Sequence, residues 1–216
     1  MLDKQIYINR RKALLDRMKG ESGIVLFIGN ANSPAQCRAN CYQWRQDSSW
    51  IYFWGIDEPM FAATLDLESG EETIYADDIE LDDLIWTGPM PLVADVAAST
   101  GIARSAPYCK LDWAVSEAIV KGRAIHTIPP SRYYNTLKLQ QLGIEEPSEA
   151  LIRAIVSMRL VKEEREIAEL EHACDLGQQL HTVARKGVKL GVVEQQIVGD
   201  MEPGNLADGA VCQCDI

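Results

Sequence analysis

Residues 42–59 read YQWRQDSSWIYFWGIDEP. Tyr42, Trp44, Trp50, Tyr52, Phe53 and Trp54 surround a polar stretch, Arg45-Gln46-Asp47, and the run closes on Gly55 and Pro59. Aromatic propensity alone favours a strand. The punctuation favours a short helix instead, with Asp47 or Ser48 as N-cap and Gly55 just past the last turn. The helix is the reading adopted. A buried charge without a partner is costly. Arg45 and Asp47 are therefore expected to form a buried or half-buried ion pair that fixes the corner, or else to contact a partner or its substrate channel. The pair is the simpler expectation.

The flanks of this run set the fold class. Apolar positions at Ile8, Ala13, Leu14, Leu15 and Met18 lie among charged residues and predict an amphipathic helix over 6–18. Residues 23–29, GIVLFIG, are a short apolar run between glycines, as in a buried strand. No glycine-rich spacing or Lys-Ser/Thr pair follows Gly29, which argues against a nucleotide loop. Residues 61–67 and 73–76 are strand-like and are separated by Glu68-Ser69-Gly70-Glu71, so a hairpin is expected. Residues 77–86, 92–99 and 112–120 are helix candidates, the first ending at Gly88-Pro89 and the last capped by Asp112. A further strand is expected at 124–128, closed by Pro129-Pro130. Strands interleaved with helices, plus a hairpin, predict an α/β fold with a mixed β-sheet flanked by helices.

The character of the chain changes near Pro147. Residues 148–201 carry helical signals only: a stripe at Leu151, Ile152, Ile155, Val156 and Met158, a long charged helix over 163–185, a break at 187–191 and another helix from 192. Pro203 and Gly204 are expected to stop that last helix at Met201. The expected organisation is a domain at 1–147, a helical segment at 148–201 and an irregular tail at 202–216.

The 216 residues carry a net charge of −11 and are 47% hydrophobic, which suits a globular protein and argues against a nucleic-acid or anionic-membrane surface. No signal-peptide pattern opens the chain and no apolar run approaches a bilayer span. Six scattered cysteines in a chain of this size read as reduced thiols, and the expected location is cytoplasmic. Cys212-Gln213-Cys214 is a weak metal or nucleophile candidate, because no second pair or histidine lies near it. His172 and His181 share the long helix but lie nine residues apart, which is not the spacing of a ligand pair.

Several motifs carry a family resemblance. Arg45-Gln46-Asp47-Ser48, Tyr52-Phe53-Trp54-Gly55 and Glu58-Pro59 resemble the N-terminal domain of Xaa-Pro aminopeptidases (aminopeptidase P), relatives of prolidase and creatinase. Ser157-Met158-Arg159-Leu160-Val161-Lys162 and Glu166-Ile167-Ala168-Glu169-Leu170 resemble the linker into that family's catalytic domain. His181 and Gly191-Val192-Val193-Glu194 resemble its opening helices. Trp86-Thr87-Gly88 resembles a loop that reaches toward a neighbouring active site.

The resemblance implies a creatinase/prolidase-like N-terminal domain followed by the start of a pita-bread catalytic domain. In the family that domain holds two divalent metal ions, usually manganese, through two Asp, one His and two Glu. A metal-acidified water attacks the peptide bond before proline. Those ligands would lie beyond residue 201, so the resemblance transfers no metal ligand and no catalytic residue to this sequence. It implies a chain truncated before the metal site, with a frameshift near Met201 as one origin, and inert alone. The candidates for an interface or substrate-proximal role are Trp86, Arg45, Asp47 and Trp44. The partners implied are a second copy of the chain, in a homo-oligomer such as a dimer, and proline-containing peptides. A stand-alone oligomerisation or peptide-binding module is the alternative reading.

Overall fold

The computed structural model describes residues 3–37 and 39–207, with side chains as far as residue 201. The first helix, α1 (Lys4–Arg17), begins where the Asp3 carboxylate accepts the Gln5 N–H at 2.8 Å. Its inward face is Tyr7, Arg10, Arg11, Leu14 and Met18, a helical spacing that includes two arginines. β1 (Ile24–Ile28) follows as the buried strand expected from its apolar run. A small hairpin, β2 (Pro34–Cys37) and β3 (Asn40–Cys41), comes next. It escapes sequence reading because β2 is exposed throughout, so there is no alternation to detect. The aromatic run forms α2 (Ser48–Trp54), as its punctuation predicts.

β4 (Ala62–Asp66) and β5 (Glu72–Tyr75) form the expected hairpin. α3 (Leu81–Thr87) starts later than residues 77–86 suggest. Asp77 and Asp78 serve other backbones: their carboxylates accept the N–H groups of Tyr108 at 2.9 Å and Val93 at 2.7 Å. α4 (Val93–Ser99), β6 (Ser105–Ala106) and α5 (Lys110–Val120) follow. Asp112 lies inside the first turn of α5 and does not cap it; it pairs with Lys138 at 2.5 Å. β7 (Ile125–His126) and α6 (Tyr133–Gln141) complete the sheet region. α6 shows no apolar stripe because one of its two buried positions is Asn135 and only the other, Leu139, is apolar.

The five strands run in the order β6-β5-β4-β1-β7. β1 pairs antiparallel with β4 and parallel with β7, and β5 pairs parallel with β6, so the sheet is mixed. Alternation along β1 divides its side chains between two cores. Val25 and Phe27 pack with α1, α2, α4 and α7 (Glu149–Leu160) through Leu14, Trp50, Phe53, Ala97 and Leu151. Leu26 packs with α5 and α6 through Leu111, Val115 and Leu139.

The chain divides into two compact units, with the boundary between Met158 and Arg159, so nearly all of α7 belongs to the first. The second unit contains α8 (Glu164–Gly187) and α9 (Glu194–Ala207). α8 opens with a capping box between Glu163 and Glu166, where the sequence shows only an acidic helix start. None of the residues of α8 is buried. Pro203 does not end α9: the backbone stays helical to Ala207, although an interior proline removes one donor and crowds the carbonyl four residues back. The rest of the expected tail, including Cys212 and Cys214, lies outside the described residues.

Candidate functional site

The corner around α2 gathers several of the first unit's buried polar side chains, Arg10, Arg11, Asn30 and Gln46 among them. Asp47 caps the helix, its Oδ1 accepting the N–H groups of Ser49 at 2.8 Å and Trp50 at 3.0 Å. Its Oδ2 accepts the Ser131 hydroxyl at 3.3 Å. Gly55 ends the helix in the left-handed conformation at φ 65°. A Cβ at Gly55 would stand 2.1 Å from the Tyr7 ring, so both backbone and packing select glycine. Trp50, Phe53 and Trp54 are fully buried, and the Trp50 indole N–H donates to the Ile56 carbonyl at 2.7 Å.

The C-terminal end of α2 leaves carbonyls without intrahelical donors. Two arginines from α1 supply them. Arg10 Nη1 donates to the Tyr52 carbonyl at 3.1 Å, and its guanidinium sits 3.9 Å from the Tyr52 ring centre. Arg11 is 0% exposed. It donates to the Phe53 carbonyl, the Thr100 carbonyl and Glu72 Oε1, each at 2.9 Å. Its guanidinium also lies 5.2 Å from the Trp54 ring centre. The ion pair of this corner, between a fully buried arginine and a half-buried carboxylate, is therefore Arg11–Glu72 and not Arg45–Asp47. Arg45 is exposed, and no ion pair joins it to Asp47. Gln46 takes the buried place between them: its Oε1 accepts the Asn30 and Asp47 N–H groups at 2.7 and 2.9 Å, and its Nε2 donates to the Glu58 carbonyl at 2.9 Å. The sequence reading counted Arg10 and Arg11 only among the charged residues between the apolar positions of this helix. The signal for the opposite reading was their place in the stripe Tyr7, Arg10, Arg11, Leu14, Met18.

Trp44 is half-buried and donates its indole N–H to Asp57 Oδ1 at 3.0 Å. Trp86 stands apart, 87% exposed on α3, which buries none of its residues. Leu81 and Ile85 beside it are each 80% exposed, and the first turn adds Asp82 and Asp83. Met90 and Leu92, a few residues further on, are exposed as well.

His126, Asp66 and Tyr108 make structural contacts elsewhere in the first unit. His126 is buried between the Ser148 hydroxyl, 2.7 Å from Nδ1, and the Ser22 carbonyl, 3.1 Å from Nε2. It ties β7 to the start of α7. At Asp66 burial acts to raise the carboxyl pKa, but the Ser69 N–H and Arg123 outweigh it and hold the group below its ordinary value. Burial pushes the Tyr108 hydroxyl well above its ordinary range, and Tyr134 and the nearby Asp112 and Asp77 act in the same direction. Among the described residues no three His, Cys, Asp or Glu side chains converge as a metal site requires. His172 and His181 lie on α8, none of whose residues is buried. This donor set does not fit a dinuclear metal centre. No described helix is long and apolar enough to cross a membrane.

These features define a mixed-sheet α/β domain whose aromatic helix is clamped by buried arginines and whose exposed apolar helix lies outside the core. The family model described as "Aminopeptidase P, N-terminal domain" matches residues 7–126. The chain belongs to this family and corresponds to the N-terminal portion of its members. A probable Xaa-Pro aminopeptidase of Paracoccidioides lutzii is 23% identical over 193 residues, covering 85% of this chain and 36% of that protein. One of Aspergillus fumigatus is 26% identical over 171 residues, covering 77% and 36% respectively. The chain thus spans little more than a third of the length of these relatives. The zinc-substituted, product-bound aminopeptidase P of Escherichia coli superposes with a TM-score of 0.78 at 20% identity, over 96% of this chain and 50% of that one. Proline aminopeptidase P II of Yersinia pestis gives 0.78 at 20%, over 96% and 51%. At that identity the likeness concerns the fold.

Proposed function

We propose that this chain is the non-catalytic N-terminal portion of a metal-dependent Xaa-Pro aminopeptidase and that it does not hydrolyse peptides alone. Its role is assembly: α3 presents Trp86, Leu81 and Ile85 to a second copy of the chain or to the catalytic machinery of a neighbour. The observation that carries this reading is the contrast between the two apolar surfaces of the first unit. The α2 aromatics are sealed in the core, whereas α3 buries nothing. The dinuclear metal centre, with manganese as the expected ion, and the chemistry before proline belong to the catalytic portion of the full-length relatives. A cytoplasmic setting accords with free thiols at Cys37, Cys109 and Cys174.

Two measurements on the purified 216-residue chain test this. With manganese and an Xaa-Pro peptide, no release of the residue before proline is expected; turnover that survives repurification refutes the proposal of inactivity. Light scattering is expected to show association that rises with concentration and weakens in Trp86→Ala. A monomer at all concentrations refutes the assembly role. A second reading, a stand-alone module that oligomerises or binds proline-containing peptides, is favoured by α8, whose Ile167, Leu170 and Val183 are exposed. Saturable binding of a proline-rich peptide by the isolated chain would support it.

A further inference from the structure

On the face of the sheet that holds the Leu26 core, the side chains of β4 run Ala62, Thr64, Asp66 and those of β5 run Tyr75, Thr73 beside them. The core under α5 and α6 closes over Ala62 and Tyr75. Beyond it the sheet turns polar, with Thr64 and Thr73 directly opposite one another across the two strands. A cleft of about 230 Å³, lined by both threonines and by α5, opens here.

Three ion pairs line the same cleft: Asp66–Arg123 at 2.7 Å, Glu117–Lys121 at 2.5 Å, and Glu71–Arg104. Three acids are thus matched by three bases, and the lining carries no net charge in a chain whose net charge is −11. The Thr64 hydroxyl donates to the Tyr75 hydroxyl at 3.3 Å. The Thr73 hydroxyl has no hydrogen-bond partner among the described residues, yet it is not sealed from solvent, so a ligand in the cleft can reach it. Trp113 of α5 also lines the cleft and is 65% exposed, which leaves most of its indole open.

This lining selects among ligand chemistries. A simple anion or cation gains little from walls whose charges are already neutralised. A wholly apolar ligand would strip water from the ion pairs and the Thr73 hydroxyl without replacing its hydrogen bonds. A neutral body rich in hydroxyls suits both, because each hydroxyl donates and accepts and so matches carboxylates, guanidinium groups and threonine alike. We propose that this cleft binds a neutral sugar, with the C–H face of one pyranose ring on Trp113 and its hydroxyls on Thr73 and the ion-paired side chains. The volume lies below the roughly 300–1,000 Å³ of pockets for drug-sized ligands, in keeping with a single ring. No residue of α3 lines the cleft, and the proposal does not depend on the assembly reading.

The test is titration of the purified chain with the methyl glycosides of glucose, galactose and mannose, followed by two-dimensional NMR of the backbone amide and indole N–H signals. Cyclohexanol, a ring of the same size with a single hydroxyl, is the control. Saturable binding of at least one glycoside is expected, with the Trp113 indole among the signals that move and cyclohexanol weaker by about tenfold or more, the scale of one or two hydrogen bonds. Trp113→Ala is expected to lose about tenfold in affinity, and Thr73→Val, which exchanges the hydroxyl for a methyl group of similar size, about threefold or more. Both variants are checked for retained fold by circular dichroism. Trp113→Ala, at an exposed position, decides the matter if Thr73→Val does not fold. No saturable shift with any of the three glycosides, equal binding of cyclohexanol, shifts that bypass the Trp113 indole, or unchanged affinity in folded Trp113→Ala or Thr73→Val overturns the proposal.

Discussion

Arg11→Met removes the guanidinium that links α1, α2, β5 and the end of α4, and keeps an apolar chain of comparable length. The mutant leaves the Phe53 and Thr100 carbonyls without that donor and leaves the Glu72 carboxylate without its partner. Breaking one side of a fully buried pair costs about 3–5 kcal/mol, and Glu72 is 20% exposed, so water offsets part of that loss. The apolar replacement offsets part of the two lost carbonyl bonds, so a net loss of about 2–3 kcal/mol is expected. For a unit of this size that corresponds to a fall in Tm of roughly 4–12 °C. Trp50 and Trp54 are fully buried against this corner, so urea unfolding followed by tryptophan fluorescence reads the relevant unit. Arg45→Met is the matched control, with an expected change within about 0.5 kcal/mol because Arg45 is exposed. A double-mutant cycle of Arg11→Met with Glu72→Gln should show coupling of about 1–3 kcal/mol. A loss below about 1 kcal/mol in Arg11→Met, or one matched by Arg45→Met, would refute the arginine clamp.

Gly55→Ala places a methyl group against the Tyr7 ring at a residue with φ 65°, so a loss of at least about 1–2 kcal/mol is expected from the left-handed backbone alone; a melting curve equal to the parent refutes the packing argument. Tyr108 has a folded pKa above its unfolded value, so its contribution is complete below the ordinary tyrosine range and is lost as pH rises through and beyond it. Alkaline unfolding is therefore expected to be blunted in Tyr108→Phe, as read by circular dichroism against pH. Asp66 has the opposite sign: its folded pKa is lowered, so its contribution is present above the ordinary carboxylate range and fades as pH falls below it. Asp66→Asn should flatten that acid limb, and an unchanged limb excludes Asp66 as its source.

The fold was legible wherever alternation or capping carried it. The apolar run of β1, the β4–β5 hairpin and the Asp47–Gly55 bracket around α2 each have a local cause written in neighbouring residues. The elements that escaped have no local cause of that kind. β6 consists of two residues held by parallel pairing with β5. α6 buries a polar residue because Asn135 meets β1 and Asn30 in space. The site was half legible for the same reason. Asp47 appeared as a cap, and the exposure of Trp86 accords with its place outside the core, but the partners of buried charge come from distant segments. Arg11 finds Glu72 and Thr100, and the Arg45–Asp47 pair that sequence proximity suggested does not form.

The distribution of burial also separates signature from function. The run from Trp50 to Trp54 and Ile56 are spent inside the first unit: their rings pack on one another and on Phe27, with Phe27–Phe53 at 5.4 Å and Trp50–Trp54 at 5.9 Å between ring centres. The Trp50 indole N–H and the Tyr52 and Phe53 carbonyls are bound within the same unit, and the Trp54 indole N–H is buried with no partner among the described residues. Such a segment can identify a family and still touch no partner. α3 has the reverse profile, with apolar residues that no part of its own unit covers. Exposed tryptophan and isoleucine add little to the core, and this contrast is what the assembly role proposed above rests on. On this argument Trp86→Ala should leave the unfolding curve within about 0.5 kcal/mol of the parent while it weakens self-association. The same substitution at Trp50 should unfold the unit by about 3–5 kcal/mol. If Trp86→Ala instead destabilises the fold and leaves association intact, α3 is a structural element and the partner surface lies elsewhere.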